Sequence, residues 1–218
     1  MKLVDPPEKD TVAWSGGRVS VLWHHPGQEK TCLVLAHGAG GNMHTPSLAA
    51  LADALSLQEI GVVRFNFPYA EAKRKVPDHQ DTLEACYRSI GDYVRPHASR
   101  LFLGGRSMGG RIASHIVASG VEAAGLVFLS YPLHPPGQPQ RLRTRHLPRI
   151  TIPMLFVQGS RDAFAQPDLL RKSLADLPKA TLHVVEGANH GLKVKARSED
   201  DVTAEIAAVI SAWISERE

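Results

Sequence analysis

The chain has 218 residues, 43% of them hydrophobic and 22% charged, with a net charge of +3. That balance suits one folded domain with a substantial core, spanning 1–218, and excludes disordered, collagenous and disulfide-scaffold classes. The charge is too small to indicate nucleic acid, and the basic residues are not interleaved with aromatics, which form only 6% of the chain.

In chain order, the opening stretch MKLVDPPEKD lacks an apolar run of signal-peptide type. No stretch approaches the roughly 20 apolar residues of a membrane span, so a cytoplasmic protein that avoids membranes is expected. Strands are predicted at 19–24, 31–37, 62–66, 100–104, 125–130, 154–158 and 181–186. Several are unbroken apolar runs, such as Cys32-Leu-Val-Leu-Ala36 and Leu126-Val-Phe-Leu129, which suit parallel strands covered on both faces. Helices are predicted between them at 45–60, 78–94, 107–119, 167–177 and after Ser198. In the second of these, Leu83, Tyr87, Ile90 and Val94 recur with helical spacing; Val202, Ile206, Val209 and Trp213 repeat it in the last. The alternation predicts an α/β fold: a doubly wound, mostly parallel sheet with helices on both faces. Its functional loops belong at the carboxyl ends of the strands. Cys32 and Cys86 lie within these patterns and are expected to be buried free thiols.

Residues 131–152 break the rhythm with five prolines and four arginines, and no Asp or Glu occurs from 123 to 161. This segment reads as an ordered loop with one short helical turn at 140–146, leaving no room for a large lid.

The strongest local signal is Gly105-Arg106-Ser107-Met108-Gly109, set between an apolar strand and a helical pattern. A serine there sits on a sharp turn, above the sheet edge and at a helix N-terminus. Its hydroxyl is a poor nucleophile unless a base is at hand. Asp162 follows the strand ending at Gln158, and His190 follows the last strand in a glycine-flanked loop, so the order Ser107, Asp162, His190 fits an acyl-transfer triad. Asp168 is the alternative acid, and Asp162 then caps its turn. His37-Gly38-Ala39-Gly40-Gly41 closes an earlier strand; the backbone N–H groups of Ala39 and Met108 are the expected oxyanion donors, with Gly40 the neighbouring candidate. The His37 side chain reads as a brace for that loop.

These motifs resemble the α/β-hydrolase superfamily over nearly the whole chain. Gly104-Gly-Arg-Ser-Met-Gly-Gly-Arg111 and Arg64-Phe-Asn-Phe-Pro-Tyr69 look like a small lidless branch close to dienelactone-hydrolase-like and testis-expressed-protein-like hydrolases. The resemblance implies nucleophile, acid and base roles for Ser107, Asp162 and His190. Dienelactone hydrolases proper carry cysteine where this chain has Ser107, so their ring-opening reaction is not implied.

The expected activity is serine-dependent cleavage of a small carboxylic ester or thioester, without metal or cofactor. The alternative is a non-catalytic binding or scaffold protein on the same fold. Arg106, Arg141 and Arg143 are expected to rim the site, with Arg145 and Arg149 nearby, and to attract an anionic substrate.

Overall fold

The computed structural model describes residues 5–25 and 31–217. Residues 1–4 of the opening stretch lie outside them.

Among the described residues, eight strands form one sheet: β1 (Glu8–Trp14), β2 (Gly17–His24), β3 (Thr31–Ala36), β4 (Gly61–Phe65), β5 (Arg100–Arg106), β6 (Gly125–Leu129), β7 (Met154–Gly159) and β8 (Ala180–Val185). Their order is β1-β2-β4-β3-β5-β6-β7-β8. The β1/β2 and β2/β4 pairs are antiparallel; every pair from β4 to β8 is parallel. The predicted doubly wound, mostly parallel sheet is therefore present, extended at one end by an antiparallel ribbon. β1 was not predicted. It is an edge strand of sequence EKDTVAW in which only Val12 is buried, so it carries neither an apolar run nor a clean two-residue alternation.

Among the described residues, six α-helices complete the fold: α1 (Pro46–Ser56), α2 (Pro68–Glu71), α3 (Gln80–Val94), α4 (Met108–Ala118), α5 (Pro167–Leu174) and α6 (Glu199–Ser215). The central strands alternate their side chains between two cores. Leu33 and Leu35 of β3 pack with Leu48, Leu51 and Leu55 of α1 and with Val202, Ile206, Ile210 and Trp213 of α6. Cys32 and Val34 face the other side, with Tyr87 and Ile90 of α3, Ile112 and Ile116 of α4, and Leu170 of α5. Strands buried on both faces in this way bring their carboxyl ends together at one rim.

Local signals set the helix ends. The Ser198 hydroxyl accepts from Asp201 N–H at 3.0 Å and caps α6, whose first turn carries Glu199, Asp200 and Asp201. Both cysteines are buried, and burial pushes the Cys86 thiol up to about 12. Among the described residues, no helix is long and apolar enough to cross a membrane.

The 131–152 segment has no large lid. Its helical turn lies at Leu147–Arg149, not at 140–146 as expected. Pro148 pre-sets the backbone of that turn, while the preceding His146 is anchored on α4 by a 2.7 Å hydrogen bond with Ser114 Oγ and a 3.8 Å stack on His115.

Candidate active site

β5 runs into α4 through Ser107, whose φ of 51° and ψ of −115° lie outside the ordinary regions for a side-chain-bearing residue. The flanking glycines permit this turn. A Cβ on Gly105, at φ 154°, would stand 2.5 Å from the Ala36 carbonyl oxygen; one on Gly109 would stand 2.6 Å from the carbonyl oxygens of Ala36 and His37. Only glycine lets α4 start this close to β3. The Ser107 amide donates to Leu129 O at 2.8 Å, which fixes the turn and leaves the hydroxyl as its chemical group.

Three distant segments meet at that hydroxyl. Ser107 Oγ lies 2.9 Å from His190 Nε2, and His190 Nδ1 lies 2.7 Å from Asp162 Oδ2. Asp162 follows β7, His190 follows β8, and the Phe164 ring packs on the imidazole at 4.3 Å. The Asp162 side chain is fully buried, whereas that of His190 is 24% exposed on the cleft. Asp162 Oδ1 accepts from Phe164 N–H at 2.8 Å, and Oδ2 accepts from the buried Gln158 side-chain amide as well as from His190. These partners fix the carboxylate, which in turn favours the His190 tautomer with hydrogen on Nδ1 and a free Nε2 lone pair toward Ser107. Asp168 is elsewhere: its side chain is 98% exposed in the first turn of α5 and pairs with Arg171 at 2.9 Å.

The loop after β3 forms the facing wall. Gly38, Ala39, Gly40, Gly41, Thr45, Arg106, Ser107, Phe164 and His190 line an open cleft of about 350 Å³. The first intrahelical bond of α4 runs from Arg111 N–H to Ser107 O, so the Met108 N–H is at the helix's unpaired end. Ala39 and Met108 thus flank Ser107 from the loop and the helix. His37 braces the loop. Its Nε2 accepts from Phe67 N–H at 3.1 Å, so the neutral ring carries its hydrogen on Nδ1, 2.9 Å from Gly38 O. Tyr69 Oη donates to the same carbonyl at 3.2 Å. Burial pushes the His37 imidazole down to about 4 and the Tyr69 phenol up to about 12.

Of the expected basic rim, only Arg106 lines the cleft. The Arg143 amide donates to Leu133 O, and its carbonyl accepts from Tyr131 Oη, which holds this part of the segment against the buried Tyr131 and Leu133; Arg141 donates to Gln138. Sequence reasoning missed Gln158, Phe164 and Tyr69. The one available signal was Gln158 itself, a polar residue next to the end of an otherwise apolar, fully buried strand.

A parallel-centred α/β sheet with its serine on a strand-to-helix turn defines the α/β-hydrolase class. Residues 29–216 match the model of the alpha/beta hydrolase domain family, and the chain belongs to it. Solved structures share the fold. An α/β serine hydrolase homologue from Coxiella burnetii is 18% identical, with 98% of this chain and 99% of that chain covered at a TM-score of 0.77. A lidless α/β serine hydrolase from Xanthomonas campestris is 22% identical over 98% and 97% of the two chains, also at 0.77. A dienelactone hydrolase from Anabaena variabilis is 17% identical over 97% and 98%, at 0.75.

Proposed function

We propose that this protein is a serine hydrolase that cleaves small carboxylic esters or thioesters through an acyl-enzyme on Ser107. The observation that carries the reading is the continuous hydrogen-bonded chain from Ser107 Oγ through His190 to Asp162. His190 Nε2 takes the hydroxyl proton as Ser107 Oγ attacks the substrate carbonyl carbon. Negative charge gathers on the carbonyl oxygen, where the Ala39 and Met108 N–H groups receive it. The tetrahedral adduct collapses, the alcohol or thiol leaves with the proton from His190, and the acyl group remains on Ser107. Water, deprotonated by His190, then attacks the acyl carbon; the adduct collapses, the bond to Ser107 Oγ breaks, His190 returns the proton to Oγ, and the acid leaves. The Asp162 carboxylate, hydrogen-bonded to His190 Nδ1, stabilises the imidazolium in both halves. The cleft is open and carries no lid, so long acyl chains gain little apolar cover and short ones are favoured.

The test is turnover of p-nitrophenyl esters from acetyl to palmitoyl, with an acyl thioester alongside. Short chains should lead, and Ser107→Ala or His190→Ala should lower kcat by about 10³-fold or more. A folded protein inert toward every member of the panel would favour the non-catalytic binding role instead.

A further inference from the structure

Arg106 is the residue common to two cavities. One is the open cleft at Ser107. The other is a narrower slot of about 40 Å³ between α1 and α6, walled by Leu48, Leu51, Leu129, Val202 and Ile206. The Arg106 guanidinium reaches from the turn toward this junction. Its Nη1 donates to Ser47 Oγ at a long 3.3 Å, and its Nη2 would stand 3.5 Å from a Cβ on Gly191. No carboxylate lies within ion-pair distance of it among the described residues.

This is an unusual place to leave a guanidinium. Arg106 is half-buried, and removal from water alone draws its pKa down, with the charge of Asp162 the opposing influence. Asp162 does not pair with it: its two oxygens are taken by His190, Gln158 and Phe164 N–H. Lys193 and Glu199 both line the slot and pair with each other at 2.5 Å, so Glu199 is engaged away from Arg106. A planar fork with unused N–H donors, beside the nucleophile and in reduced contact with water, suits a carboxylate. The slot holds only a few atoms. A narrow recess of that kind suits the part of a substrate that stays on the enzyme while the leaving group departs through the open cleft.

We infer that Arg106 is a specificity-determining residue that binds a carboxylate on the acyl portion of the substrate, which makes half-esters and half-thioesters of short dicarboxylic acids the preferred class. The inference rests on the proposed hydrolase reading and deepens it.

The experiment compares kcat/KM for p-nitrophenyl hemisuccinate with that for p-nitrophenyl butyrate, in wild type, Arg106→Met and Arg106→Lys, with fluorophosphonate labelling of Ser107 in each. The wild type should favour the anionic ester by about tenfold or more, as expected when a charge-assisted bidentate contact is gained. Arg106→Met should collapse the ratio, Arg106→Lys should keep part of it, and added salt should lower it in the wild type. A ratio near one in the wild type, or equal losses on both esters in Arg106→Met, overturns the assignment while intact labelling leaves the hydrolase reading standing. Absence of both labelling and turnover on every ester overturns the hydrolase reading and this inference with it.

Discussion

The Gln158 side-chain amide donates to Asp162 Oδ2, the same oxygen that accepts from His190 Nδ1. Both residues lie out of solvent, so one buried amide fixes the carboxylate that orients the imidazole. Gln158 touches no reacting atom and acts by positioning. Replacing it with methionine keeps the volume and removes the donor. Gln158→Met should lower kcat by about tenfold with KM within about twofold, since binding groups are untouched. Matched losses in kcat and KM, or loss of fold, would argue for a packing role alone.

His37 and Tyr69 converge on the Gly38 carbonyl and so hold the loop that presents Ala39. His37→Ala removes the Phe67 anchor as well, and should reduce kcat about tenfold or more. Tyr69→Phe leaves the His37 contacts in place and should cost only a few-fold. Steady-state kinetics on a short neutral ester checks the order; a larger loss in Tyr69→Phe would reverse the assigned roles.

The pH dependence of stability follows from three buried histidines. Burial is the largest influence on each, holding His24 and His37 down at about 4 and His146 at about 3, against the usual 6.5. Arg64 adds to this at His24, and His115, Arg111 and Arg149 add to it at His146. The folded protein therefore binds fewer protons than the unfolded chain as pH falls below 6.5, and stability drains away down to about 4. Urea melts between pH 7 and 4.5 should show this decline. His146→Gln should flatten it by roughly one proton, about 1.4 kcal/mol per pH unit. An unchanged slope in that variant would contradict its neutral burial.

Much of this architecture is visible in the chain because the central strands are covered on both faces. Runs such as Cys32–Ala36 and Leu126–Leu129 can only be interior. Ser107, Asp162 and His190 stand out because each follows a parallel strand at the rim where the carboxyl ends gather. β1 is silent because an edge strand needs little apolar surface. Gln158, Phe164 and Tyr69 act through partners 4 to 31 residues away in sequence, contacts that exist only once the sheet has closed. Arg141 and Arg143 show the opposite failure. Charge density in a loop gave no direction, and the segment's anchoring on Tyr131 and Leu133 decides where it goes.

The most direct measurement is reaction of the folded protein with a fluorophosphonate, followed by peptide mass mapping. One adduct on Ser107, formed far more slowly in His190→Ala, is the predicted result. An unmodified Ser107, or an adduct that persists unchanged in Ser107→Ala, would contradict a nucleophile at this turn.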